Sequence, residues 1–223
     1  MEKLVINNQV LPYKIINKNN KNTYFKFKPD GIYIHKSKYH TKNDIIKILS
    51  LNFNDYYNKY LNILKQLPSD NEIILEEKSY QLHIQQGPKF KYEINENCIN
   101  VWAKKIDVDQ IKKKIYLDYI KKMYQKIEED VDQVLLKHNI YKRKISFNYF
   151  KTKFGSYHRN TDEIKLNIVL AKYHYKYLYY VIMHEYAHTI VFNHSKSYYL
   201  VLEKLMPDYK YYDKSLKNMS IYI

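Results

Sequence analysis

His184 and His188 stand four residues apart with Glu185 beside the first, inside a run from Tyr175 to Phe192 that is rich in apolar residues and holds no Gly or Pro. Such a run predicts a buried helix. On a helix, residues four apart are neighbours roughly 6 Å apart on one face. Two imidazoles at that separation can reach one Zn²⁺ at about 2.0–2.1 Å each. Glu185 lies about 100° round the helix, where its carboxylate suits a water at the metal rather than the metal itself.

A third ligand is needed, and His194 is the candidate. On an unbroken helix it would lie about 80° off the ligand face, so the chain must break before it. Asn193 is expected to take the left-handed conformation at this break, and Ser195 to cap a new helix from Lys196. Three neutral imidazoles with one open position describe a catalytic zinc site, one ion per chain, because structural sites close with four protein ligands. Such an ion lowers the pKa of its water to about 7, and Glu185 is then expected to act as general base toward that water, as hydrolysis of a peptide bond would require. The bland alternative is three satisfied core or surface histidines. A chance His-Glu-x-x-His falls in roughly a few per cent of chains, and a third histidine at a stated offset is about twentyfold rarer still. The metal reading is the stronger.

The surrounding elements must position these groups. Asp107 or Asp109 opens the longest helix, to about Lys137, with Ile111, Ile115, Tyr119, Met123, Ile127, Val131 and Val134 or Leu135 at three-to-four spacing. Lys112, Lys113 and Lys114 read as its solvated face. Lys144 to Lys151 and Glu163 to Val169 alternate as strands and are expected to pair as a hairpin around the Gly155-Ser156 loop. Lys196 to Met206 reads as a helix with Tyr199, Leu202 and Leu205 or Met206 inward, and Pro207-Asp208 starts a last helix to about Asn218. Upstream, Leu11 to Lys36 reads as an antiparallel meander. Thr41 or Asn43 caps a helix through Leu49, and Asp55 to Leu67 forms another, stopped at Pro68-Ser69-Asp70. Lys78 to Gln85 and Phe90 to Glu93 are expected to form a hairpin, with Cys98 to Ala103 a third strand.

The ordered series Thr152-Lys153-Phe154-Gly155-Ser156, Ile164-Lys165-Leu166-Asn167, His184-Glu185-Tyr186-Ala187-His188, Asn193-His194-Ser195-Lys196 and Pro207-Asp208-Tyr209-Lys210 resembles the motifs of YgjP-like zinc metallopeptidases, relatives of SprT-like and WLM zincin-type domains. The resemblance is collinear over 145–217 and looser toward the N-terminus. It implies His184, His188 and His194 as zinc ligands and Glu185 as the catalytic glutamate. It also implies a strand, Glu163 to Val169, bordering the cleft and open to an extended peptide. Phe154 stands where the family usually has Trp, Tyr157 where it has Cys, and Tyr198-Tyr199 where it has Phe-Trp; none of these touches the metal. The spacing also equals that of metzincins, but their helix-ending Gly would fall at Val191, and a β-branched residue is poor at positive φ. Glu203, on the following helix, is a further ligand candidate. The fold expected is α+β: a zincin-like domain over 106–223, with its long helix, small antiparallel sheet and His-Glu-x-x-His helix, preceded by a β-rich lobe with short helices over 1–105.

Cys98 is the single cysteine, which excludes an intrachain disulfide and suits a reducing compartment. Met1 to Asn8 lacks a signal-peptide layout, and no run of about 18 apolar residues offers a membrane span. The expectation is a cytoplasmic enzyme acting on protein or peptide, with no membrane partner. The net charge of +15 raises a second expectation, weak nucleic-acid binding through a basic surface, either as a DNA-associated SprT-like protease or as a binding module with a vestigial metal site. Arg is the preferred side chain for bidentate phosphate contacts, and only Arg143 and Arg159 occur. AT-biased coding explains a Lys, Asn, Ile and Tyr excess equally well.

Overall fold

Asn7 and Asn8 both take positive φ, 49° and 61°, a pair of left-handed residues that Asn tolerates and that closes a two-residue hairpin. In the computed structural model, which describes residues 1–65, 67, 69 and 71–223, this turn joins β1 (Glu2–Ile6) to β2 (Gln9–Asn17). The chain is α+β and divides into two compact units, Met1–Leu67 and Pro68–Ile223.

In the first unit β3 (Tyr24–Lys28) and β4 (Gly31–Lys36) follow, and the sheet order is β1-β2-β4-β3. The expected meander is therefore corrected: β2 and β4 pair in parallel, with Tyr13 opposite Ile32. Burial gives the reason. Ile32 and Ile34 of β4 are fully buried, whereas Tyr24 and Lys26 of β3 face solvent, so the more apolar strand takes the inner place. Gly31 permits that approach, since it lies at φ 136° and a β-carbon there would meet the Pro12 carbonyl oxygen at 2.5 Å. Helix α1 (Lys42–Leu51) starts at Thr41, whose hydroxyl and the Asp44 carboxylate form a reciprocal cap. Helix α2 (Phe53–Lys65) follows, and Ile45, Leu49 and Phe53 pack with Leu11, Tyr13, Ile32 and Ile34. The stop expected at Pro68 and Asp70 lies outside the described residues.

The second unit opens with the same four-strand connectivity. β5 (Glu72–Leu75), β6 (Lys78–Gln86), β7 (Lys91–Ile94) and β8 (Cys98–Ala103) lie in the order β5-β6-β8-β7, again with the two inner strands parallel. Its first hairpin turns on Glu76 and Glu77, both at positive φ. Leu82, Ile99 and Val101 occupy the places of Tyr13, Ile32 and Ile34. The hairpin expected between Lys78–Gln85 and Phe90–Glu93 does not form, because β8 lies between them. This sheet shares one core with α3 (Val108–Lys137), which is why the units part at residue 67 and not near 105.

Asp107 caps α3, accepting from the Gln110 N–H, and Ile111, Ile115, Met123, Ile127, Val131 and Leu135 are buried as their spacing predicts. Lys112 departs from expectation. It is buried rather than solvated, with Nζ donating to the Ser69 carbonyl at 2.8 Å. After α3 come β9 (Lys144–Asn148), β10 (Gly155–His158) and β11 (Glu163–Asn167). Their order is β10-β11-β9, antiparallel at β10–β11 and parallel at β11–β9. The small sheet is thus mixed, not antiparallel, and β11 is enclosed while β10 is an edge. The tight turn before Glu163, with Asp162 at φ 47°, joins β10 to β11 as neighbours, and the more deeply buried β11 takes the centre. A 3-10 turn (Ile168–Lys172), α4 (Tyr175–Ile190), α5 (Lys196–Leu205) and α6 (Tyr209–Leu216) complete the unit. Among the described residues no helix is long and apolar enough to cross a membrane.

Candidate metal centre and active site

Helix α4 is buried over most of its length, with Leu178, Ile182, Met183, Tyr186 and Ala187 fully enclosed. Apolar packing on several sides fixes its rotation and hence where His184, Glu185 and His188 point. The His184 and His188 rings lie 4.9 Å apart between centroids.

Helix α4 ends at Ile190, and Val191 is extended (φ −129°, ψ 110°). The break comes here rather than through a left-handed Asn193, and an extended backbone suits a β-branched residue. The Val191 N–H still donates to the Ala187 carbonyl at 2.9 Å. The turn brings the His194 ring to 5.3 Å from His184 and 4.7 Å from His188. Helix α5 then starts at Lys196 as expected, although the Ser195 hydroxyl meets Ser197 and makes no backbone cap.

One nitrogen of each of the three imidazoles lies within 4.8 Å of the other two. Tetrahedral donors at zinc distances are on the order of 3.4 Å apart, so small side-chain rotations close the set. The tautomers also fit. His188 Nδ1 donates to the Val191 carbonyl at 3.3 Å. His184 Nδ1 lies 3.4 Å from the Tyr180 hydroxyl, which itself donates to Asp213 at 2.9 Å. That network leaves Nε2 of both rings as a lone-pair donor. Burial, reinforced by the neighbouring histidines, lowers the His184 pKa to about 3, and burial followed by His194 lowers that of His188. Neutral imidazole is the form a metal requires.

Glu185 is 4 % exposed, and burial pushes its carboxyl up to about 7, against a hydrogen bond from the Tyr157 backbone that lowers it. Strand β10 lies directly over it: a β-carbon on Gly155 would meet Glu185 Oε1 and Val181 Cγ1, each at 2.7 Å. The loop leading into β10 is pinned by Asn167, which is fully buried. Its Nδ2 donates to the Phe150 and Lys153 carbonyls, both at 2.7 Å, and its Oδ1 accepts from the Phe150 and Val169 N–H groups.

The other candidates fall elsewhere. Glu203 pairs with Lys210 at 3.0 Å and is exposed. The Tyr157 hydroxyl donates to Asp162. Tyr198, not Tyr199, is the buried aromatic of α5; its ring lies 4.5 Å from that of His188, and its hydroxyl donates to the His184 carbonyl. Sequence reasoning missed Tyr180, Asp213 and the pinning role of Asn167. Tyr180 precedes His184 by one helical turn and carried a readable signal. Asp213 carried none, since it arrives from α6. Among the described residues the three histidines are the one cluster of three or more such donors.

A family model described as YgjP-like, metallopeptidase domain, matches residues 21–219. No curated protein matches the chain in sequence. Among solved structures, the zymogen of the metallopeptidase abylysin from Pyrococcus abyssi is 18% identical with a TM-score of 0.37, covering 40% of this chain and 90% of its own. The zymogen of jannalysin from Methanocaldococcus jannaschii is 24% identical with a TM-score of 0.35, covering 41% and 91%.

Proposed function

The chain belongs to the YgjP-like metallopeptidase family, and on that premise we propose that it is a zinc-dependent peptidase with His184, His188 and His194 as metal ligands and Glu185 as general base. The observation that carries this reading is the cluster of three imidazole nitrogens on the helix and turn that also present the buried Glu185 carboxylate. Three imidazoles and no thiolate suit zinc with an open position. When bound, such an ion supplies Lewis acidity toward a scissile carbonyl and toward water.

The rest is the work of this chain's own groups. A carboxylate whose burial raises its pKa toward neutrality can take a proton from water and return it to the leaving amine nitrogen. Tyr180 and Asp213 hold the His184 ring through Nδ1, so its orientation does not depend on the ion. Because β11 is enclosed, the free edge for an extended protein or peptide substrate is β10, whose backbone runs over Glu185.

Zinc content and turnover test the assignment together. Protein purified without chelator should hold one zinc per chain, and Glu185→Gln should keep it while losing roughly 10²–10⁴ in peptide cleavage. Unchanged cleavage by Glu185→Gln removes the general base, and absence of stoichiometric metal leaves a vestigial site.

A further inference from the structure

The two four-stranded sheets share one connectivity and register, so corresponding positions can be compared within a single chain. On the sheet face turned away from Leu11, Tyr13, Phe25 and Ile34, the first unit carries Lys3, Lys14, Lys26 and Lys28. The corresponding positions of the second sheet hold Glu72, His83, Glu93 and Asn95. Both sheets belong to one chain, so any coding bias would act on both, and the fold needs no lysine at those places. The second sheet keeps one lysine on this face, Lys91 at the place of Tyr24, so the cluster of four on the first sheet is not imposed by the architecture. Across the whole first unit, twelve lysines stand against four carboxylates.

Aromatic rings interleave with these charges. Tyr33 lies between Lys14 and Lys26 in register, and the next row sets Ile16, His35 and Tyr24 side by side. The Lys28 ammonium sits 3.6 Å over the Tyr33 ring. Tyr24 is 53% exposed. Besides burial, the charges of Lys26, Lys18 and Lys28 lower the His35 pKa, so all three reach the same patch. Asp30, in the β3–β4 turn at its margin, accepts from the Tyr33 hydroxyl. The two α-helices of this unit pack on the opposite face.

A sheet face with aromatic rings set among lysines, and with no carboxylate in the rows, suits a polyanion that also offers flat π-faces. An acidic peptide would use the charges and leave the rings without a role. We propose that the open face of the β1–β4 sheet binds single-stranded nucleic acid, with Tyr24 and His35 stacking on bases and Lys14, Lys26 and Lys28 meeting phosphates.

The full chain is titrated with a fluorescein-labelled twelve-nucleotide oligouridine, by anisotropy, across a salt series. Lys14→Gln/Lys26→Gln/Lys28→Gln should flatten the log–log salt slope by about 2, at roughly 0.7 per phosphate contact. Tyr24→Leu should weaken binding about five- to a hundredfold with the slope unchanged. Lys121→Gln/Lys122→Gln, on α3, should do neither. Thermal melts of each variant check that the fold persists: Lys14, Tyr24, Lys26, Lys121 and Lys122 are exposed, and Lys28 is half-buried over Tyr33. The proposal is overturned if the triple variant keeps the wild-type slope, or if the α3 pair flattens it as much. It is also overturned if polyglutamate displaces the oligonucleotide as well as unlabelled oligouridine does, or if duplex DNA binds more tightly than the single strand. Peptide cleavage is measured in parallel and should not respond, so failure here leaves the metal site's assignment untouched.

Discussion

Gly155 and Glu185 are in contact across the gap between strand and helix, so close that a β-carbon at Gly155 would stand 2.7 Å from the carboxylate oxygen and equally near Val181. Real side chains do not reach such a distance, and Val181 is buried. Gly155→Ala must therefore displace either β10 or the carboxylate. A misplacement of about 1 Å costs about 10²-fold in turnover. The expected outcome is that loss in kcat with zinc content unchanged, read by cleavage assay beside metal analysis. Wild-type turnover in Gly155→Ala would remove the strand from the site.

Tyr180→Phe cuts the link from His184 Nδ1 to Asp213 while keeping the ring that packs against His184. Partners of this kind are worth 10- to 100-fold in metal affinity, so zinc should bind roughly that much more weakly in competition with a chelator. Asp213→Asn should have a smaller effect in the same direction. If Tyr180→Phe binds zinc as tightly as wild type, the hydroxyl does not support the ligand.

Asn167 satisfies four backbone groups around a buried position. Leaving a buried polar group without a partner costs roughly 1–3 kcal/mol, and water can reach only part of the vacated space. Asn167→Ala should destabilise the second unit by about 3 kcal/mol or more in denaturant titration, with activity falling as the Phe150–Lys153 loop loosens. A change under about 1 kcal/mol would show that the loop is held by other contacts.

Lys172 is buried, and burial, with the nearby Lys112 charge, lowers its pKa from 10.5 to about 8. Below pH 8 the ammonium is charged folded and unfolded alike, and the folded state bears the full penalty. Between about 8 and 10.5 the folded state sheds its proton first, so this group's contribution to stability rises with pH. At 1.36 kcal/mol per pKa unit the rise is about 3 kcal/mol. Lys172→Met should be the more stable protein at pH 7, and its advantage should shrink as pH climbs through that window. Parallel pH–stability curves for the two proteins would contradict this.

The sequence by itself determined what is local. The i, i+4 placement of His184 and His188, the offset of Glu185, the helix starts within a residue or two (Thr41 rather than Asn43, and Asp107 rather than Asp109, being the caps that form) and the buried stripe of α3 follow from helical period and from side chains that satisfy nearby N–H groups. Alternation likewise marked strands, but it fixes which face a residue takes and not which strand it meets. The parallel pairs β2–β4, β6–β8 and β9–β11 were therefore decided only by competition for the most buried place in each sheet. The buried state of Lys112, the arrival of Asp213 behind Tyr180 and the seating of β10 on Glu185 join residues far apart in sequence. Their cause is the packing of whole elements against a shared core, which no short window of sequence contains.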